Sequence, residues 1–279
     1  MSKIMKACGV NILAKTKSGI LDNFESLCNG KQGYICKVNS EYLVNACKDS
    51  NFRDILNGSS LNTADGIGVL WAAKYLALPS SNPPFLRQLR AVWQAIYSLM
   101  AILFYPRYIK SVIPERVGGV DLMLDMLKIC TKEHKKVFLL GGQNGVPQKV
   151  KEVVEKEIEG LEIVGCFDGD SDDAGIAEII NKSKAEILFV AFGSPKQELW
   201  IIKNLPHLHH ISLAIGEGGS FDFVAGVQKR APKMLQKIGL EWLWRLIREP
   251  MRITRIINAV PRLIVTTVKY KLEILKANK

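Results

Sequence analysis

Nothing in this sequence supplies a ready-made metal or redox centre. Its six cysteines (Cys8, Cys28, Cys36, Cys47, Cys130, Cys166) contain no Cys-x-x-Cys pair, and its four histidines (His134, His207, His209, His210) no His-x-x-x-His pair. Neither a zinc site nor a serine triad is indicated. The opening MSKIMKACGVNIL lacks the long apolar core of a secretory signal, so the simplest expectation is reduced thiols in the cytosol. The longest charge-free apolar run, Ala91 to Pro106, falls short of the roughly 20 residues needed to cross a bilayer. Repeats of solenoid period and low-complexity linkers are also missing.

What is there is a chain of 279 residues with 48% hydrophobic composition, enough for one large domain or a domain with an appendage. The net charge of +11 is unevenly placed. Residues 229–279 hold 13 Lys/Arg against 3 Asp/Glu, whereas the first 228 hold 25 against 24. A basic appendage on a neutral body calls for an anionic partner: a membrane, a nucleic acid or a phosphorylated substrate. No nucleic-acid-binding motif is present, so nucleic acid is not expected.

Several segments share one grammar, a short β-rich run that ends in a Gly, Asn or Asp turn and leads into a helical pattern. They are 33–49, 136–160, 186–205 and 210–226, and 61–76 reads as a turn followed by a helix. The predicted fold is α/β: a Rossmann-like, largely parallel sheet with helices on both faces, plus a C-terminal helical appendage. The predicted division is a catalytic body over 1–228, with an apolar and basic insertion at 79–114, and the appendage over 229–279. In such a sheet ligands bind beyond the C-terminal strand ends. Asn39, Asp65, Gly141–Gly145, Gly193–Glu198 and Gly216–Asp222 all fall in strand-exit turns and should line one crevice.

Each motif carries a bland reading beside the functional one. Asp65, in Thr63-Ala64-Asp65-Gly66-Ile67-Gly68, is either an N-cap or a carboxylate placed to accept a hydroxyl proton. Leu139–Gly145 lacks the first glycine of a dinucleotide fingerprint, because Leu140 stands in its place. Gly141 and Gly142 still suit a turn that aims N–H groups at a phosphate. In Gly193–Glu198, Ser194 and Pro195 fit a helix cap and first helical position, while the amide of Gln197 suits a sugar or base edge. Gly216, Gly218 and Gly219, with Asp222 behind them, suit close approach by a ligand. The acidic run 168–173 lacks the register of a calcium loop. It is expected to be a solvated turn capping the helix that follows, with a DxD metal site as the alternative.

In the appendage, Arg245, Arg248, Arg252 and Arg255 share a face if a helix continues through Pro250. Trp242, Trp244, Leu246, Ile253 and Ile257 add apolar area beside these cations, the composition of an interfacial amphipathic helix. The alternative is a helical hairpin packed on the body with a solvated basic face.

Taken together, the stretches 64–69 (ADGIGV), 115–123 (ERVGGVDLM), 137–142 (VFLLGG), 191–198 (AFGSPKQE), 216–226 (GEGGSFDFVAG) and 230–250 resemble the WecG/TagA/CpsF family of bacterial glycosyltransferases, in that family's order. The resemblance implies transfer of an N-acetylmannosamine-type or related sugar from a UDP donor to a polyprenyl-diphosphate-linked sugar, with inversion and with neither a metal nor a cofactor. It implies Asp65 as general base, Arg116 and Gln197 at the donor site, and Arg245, Arg252 and Arg255 closing over that site at an anionic membrane surface. The implied location is the cytoplasmic face of the cell membrane, and a homo-oligomer is left open. Where the family commonly has Thr-x-Asn, this chain has Lys37-Val38-Asn39, so an ammonium replaces a hydroxyl near the acceptor. The segment 77–114 is also longer than the family's usual link, and its apolar, arginine-flanked helix is expected either to meet the membrane or to pack on the body. Two other functions stay open on residues alone, a Rossmann-like oxidoreductase and a non-catalytic scaffold of polysaccharide assembly.

Overall fold

The computed structural model describes residues 3–79, 86–232, 235, 244, 246–247 and 253–277, with side chains from 260 onward in the last segment. The chain opens with an antiparallel hairpin, β1 (Ile4–Ala7) and β2 (Val10–Leu13), followed by α1 (Lys17–Cys28). β3 (Gly33–Val38), α2 (Ser40–Lys48), α3 (Ser50–Asn57), β4 (Leu61–Ala64) and α4 (Ile67–Leu76) come next. The segment read as a turn at 61–64 is thus a buried edge strand.

After α5 (Arg87–Phe104), α6 (Pro106–Ile109) and α7 (Gly119–Lys132), the strand–helix alternation resumes. It runs through β5 (Val137–Gly141), α8 (Val146–Glu157), β6 (Ile163–Phe167), α9 (Ile176–Ser183), β7 (Ile187–Ala191), α10 (Lys196–Asn204), β8 (Leu213–Gly216) and α11 (Ser220–Val224). The last described element is α12 (Ile253–Ala277).

Six strands form one parallel sheet in the order β4-β3-β8-β7-β5-β6. Successive strand residues alternate between two apolar layers. Val137 and Leu139 join α1, α7, α8 and α11 on one face, while Phe138 and Leu140 join α2, α3, α4 and α10 on the other. Burial on both faces is why these strands read as continuous apolar runs rather than alternating ones. The predicted fold class is the observed one.

The final helix packs against α2, α4 and α5. Its Leu263, Thr267 and Lys271 are buried, and the Lys271 ammonium donates to Tyr75 O (2.8 Å), Leu78 O (3.1 Å) and Gln94 Oε1 (2.8 Å). Thus the described end of segment 229–279 is part of the apolar layer that covers one face of the sheet.

Candidate active site

The sheet's strand order reverses around β3 and β8, and the crevice opens where their C-terminal ends meet those of β4 and β7. The turn after β4 is pinned there by Asp65 N–H donating to Val38 O (2.8 Å), and Val117 N–H donates to Ala64 O (3.1 Å). The second bond carries Arg116 to the end of the same strand. A cavity of about 710 Å³ results, walled by the turns after all four strands, by Leu99, Ile102 and Leu103 of α5 and by Val260, Leu263 and Ile264 of α12.

Asn39, Asp65, Arg116, Gly193, Gln197, Gly216, Gly218, Gly219 and Asp222 all line this cavity, as do Lys37 and Gly66. A neighbouring cavity of about 570 Å³ shares Ala191, Phe192, Gly218 and Asp222 with it and is bounded by Gly142 and Lys149. Gly141 lies beneath it at the end of β5, where an added Cβ would come within 2.9 Å of the Ala191 carbonyl carbon. Of the appendage arginines, Arg245 and Arg252 lie outside the described residues. Arg255 falls on α12, and its side chain lies outside them too.

The capping expectations need correction. Asp65 does not cap α4: the N-cap is Gly66, at φ 106°, with no side-chain cap bond. Only glycine adopts that backbone readily, and the turn it makes leaves the Asp65 carboxylate facing the crevice. The acidic run does not cap α9 either, whose N-cap is Gly175. Asp173 Oδ2 instead accepts from Asp170 N (2.9 Å), Asp170 pairs with Lys196 (3.0 Å), and Asp168 Oδ2 accepts from Gly145 N (3.0 Å) before α8. Ser194 and Pro195 are displaced by one position, since α10 starts at Lys196 with Pro195 at its N-cap and no side-chain cap. Asn39 does act as a cap, accepting at Oδ1 from Glu41 N (2.8 Å) and Tyr42 N (3.2 Å).

Beside Asp65 stands a buried ion pair that the sequence did not reveal. The Lys37 ammonium is bonded to the Glu217 carboxylate and also donates to Gly119 O (3.2 Å). Burial pushes the Glu217 carboxyl up from its ordinary range, and Lys37 opposes that rise. A Cβ built on Gly119 would sit 3.0 Å from Ser220 Oγ, 3.5 Å from Lys37 Nζ and 3.6 Å from Asp65 Oδ2. These three groups therefore converge on one glycine, whose missing side chain keeps the space between them clear.

Gln197 binds the loops together. Its Oε1 accepts from Gly193 N (3.1 Å) and Gly218 N (2.9 Å), while its Nε2 donates to Tyr42 OH (2.9 Å) and Glu198 Oε1 (2.8 Å). Tyr42 OH also donates to Glu198 Oε1 (2.6 Å). Burial pushes the Glu198 carboxyl up to about 7, against these hydrogen bonds. On the opposite wall Arg230 forms a two-bond pair with Asp121 (2.6 and 2.9 Å), the planar fork matching the carboxylate. The pairings of Glu217, Glu198, Tyr42 and Arg230 escaped the motif reading, although Glu198 and Glu217 fall in turns expected at the crevice, because most of their partners lie far away in sequence, Lys37 and Glu217 by 180 residues. The glycine density around Glu217 was the only local signal.

Among the described residues, no three His, Cys, Asp or Glu side chains are grouped to hold a metal ion, and no helix is long and apolar enough to cross a membrane.

Two known proteins that share one activity in their names are similar to this chain. Over 246 residues the chain is 30% identical to the N-acetylglucosaminyldiphosphoundecaprenol N-acetyl-beta-D-mannosaminyltransferase of Bacillus subtilis (strain 168), covering 88% of this chain and 80% of that one. It is 28% identical to the enzyme of the same name from Bacillus spizizenii (strain ATCC 23059 / NRRL B-14472 / W23), covering 88% and 82%. The family match spans residues 5–82 and 80–277, so it includes every wall of the cavity. Together with the crevice built by its motifs, this places the chain in the glycosyl transferase WecG/TagA/CpsF family and makes it a glycosyltransferase.

Proposed function

We propose that the protein moves an N-acetylmannosamine-type or related hexose from a UDP-sugar to a hydroxyl of a polyprenyl-diphosphate-linked acceptor sugar. The proposal includes inversion at the anomeric carbon, no metal or cofactor, and action at the cytoplasmic face of the cell membrane. The relatives' names support the sugar and the lipid-linked acceptor. The observation that carries the chemistry is Asp65, a carboxylate at a strand end that lines a cavity of about 710 Å³ together with Arg116 and the glycine turns.

In this reading the acceptor oxygen bonds to the anomeric carbon from one face as the bond to the UDP oxygen breaks on the other. Asp65 accepts the hydroxyl proton. Arg116, which lines the cavity, offsets the charge that develops on the leaving diphosphate. Arg245, Arg252 and Arg255 are assigned the same task at the membrane. Gln197, with both ends of its amide engaged by protein, holds the two donor-side loops in register. Lys37 brings no net charge to the acceptor side, because Glu217 accompanies it.

A panel of UDP-sugars, each offered with and without a polyprenyl-diphosphate-GlcNAc acceptor in vesicles, tests the reading. Release of UDP that depends on the acceptor, with one N-acetylhexosamine donor preferred, is expected. Release from no donor, or equal release without acceptor, contradicts it.

A further inference from the structure

Helix α5 is apolar on its outward face as well as along much of its inward one. Its inward face carries Gln94 and Ser98, both buried. Gln94 Oε1 accepts from Lys271 (2.8 Å), and Ser98 Oγ accepts from the Trp71 indole (2.9 Å). Its outward face carries Leu89, Val92, Trp93, Ile96, Met100 and Leu103, with Trp93 64% and Leu103 65% exposed. Those positions recur every three or four residues, so they form one continuous stripe along a helix of 18 residues, about 27 Å long. A helix with one face in water carries polar residues on that face, and an apolar stripe of this extent marks a contact site.

Charge identifies the contact. No Asp or Glu occurs between Asp65 and Glu115, while Lys74, Arg87, Arg90, Arg107 and Lys110 all fall there. Arg90 stands exposed near one end of the stripe, and Arg107 and Lys110 stand exposed just past the other. Phe104 and Tyr105, also exposed, lie at that second end. Aromatic side chains beside cations at the ends of an apolar face fit the headgroup level of an anionic bilayer. A symmetric pairing with a second copy would set these cations against one another, with no carboxylate in the segment to offset them.

The stripe also leads into the cavity. Leu103 belongs to both, and Leu99 and Ile102 of the same helix line the cavity alongside Asp65. The family match falls into two pieces that meet at 80–82, immediately before this helix.

We propose that α5 is a membrane-docking helix that lies in the plane of an anionic bilayer with its Leu89–Leu103 stripe in the acyl boundary. The cavity mouth then opens at the bilayer surface, where a lipid-linked substrate can enter sideways. The stripe lies on a different helix from the appendage arginines and needs no sugar substrate, so its test is independent of the proposed transfer reaction.

The test is flotation of the full chain with vesicles of phosphatidylcholine and phosphatidylglycerol, using a variant with Val92, Trp93, Ile96 and Met100 all changed to Gln. These positions are exposed and outside the cavity wall. Circular dichroism and size-exclusion chromatography establish that the variant is folded. Partitioning is expected to fall at least about tenfold. Quenching of tryptophan fluorescence by brominated lipid should be smaller in Trp93→Phe than in wild type. Unchanged partitioning, or quenching unaffected by Trp93→Phe, overturns the proposal. So does a wild-type dimer in lipid-free buffer that the Gln variant converts to monomer without any loss of vesicle binding.

Discussion

Replacing Glu198 by Gln removes a buried ionisable group while keeping its shape, and the structure sets both the size and the pH window of the effect. Glu198 is 0% exposed, and burial raises its carboxyl from an ordinary 4.5 to about 7. A carboxyl with a raised folded-state pKa binds its proton more tightly folded than unfolded. Its contribution is therefore fully present below about pH 4.5 and is lost as pH climbs through 7. The difference, 7 − 4.5 = 2.5, at roughly 1.4 kcal/mol for each pKa unit, amounts to about 3 kcal/mol. Above pH 7 the wild type therefore carries a desolvated carboxylate that Glu198→Gln does not. Urea unfolding of both proteins at half-unit steps from pH 5 to pH 8 measures the gap. The variant should gain on the wild type from pH 5 to about pH 7 and level off above it, by about 2–3 kcal/mol in total. Parallel stability profiles would show that Glu198 titrates normally and that the Tyr42–Gln197–Glu198 cluster is not desolvated as described.

Three further changes probe the crevice. Lys37→Met leaves Glu217 buried without its cation and should cost about 3–5 kcal/mol in urea unfolding. Adding Glu217→Gln should recover most of that loss, and no recovery would mean that the pair is not the cause. Gly216→Ala places a Cβ 2.6 Å from Gln197 Nε2 and 2.9 Å from Glu198 Oε1. A loss of about 1–3 kcal/mol is expected from such overpacking, and unchanged stability would show that the loops can part without strain.

The parallel sheet was legible because strands buried on both faces leave apolar runs, and because each ends in a punctuating turn such as Leu139–Gly145. The crevice was legible for the same reason, since a strand-exit residue such as Asp65 or Asn39 has only one place to go in this fold. Local chemistry misled where two neighbours could do the same job. A capping role suited Asp65 and the acidic run by composition, yet Gly66 and Gly175 take those helix starts through their backbone conformation. The orientation of α5 was hidden altogether. Its sequence is apolar nearly all round, and only the distant donors Trp71 and Lys271 decide that Gln94 and Ser98 face inward. The composition of the appendage left an interfacial helix and a segment packed on the body both open, and Leu263, Thr267 and Lys271 of α12 are buried against the body.

The central claim is that the Asp65 carboxylate accepts the proton of an acceptor hydroxyl. Asp65→Asn keeps the side chain's size and removes its basicity, so UDP release should be compared in the two proteins at saturating donor and acceptor. The account predicts a loss of about 10²–10⁴-fold in kcat, with stability and donor binding by calorimetry unchanged. A variant that turns over within a few-fold of wild type would contradict it and leave Asp65 as a structural residue of the turn.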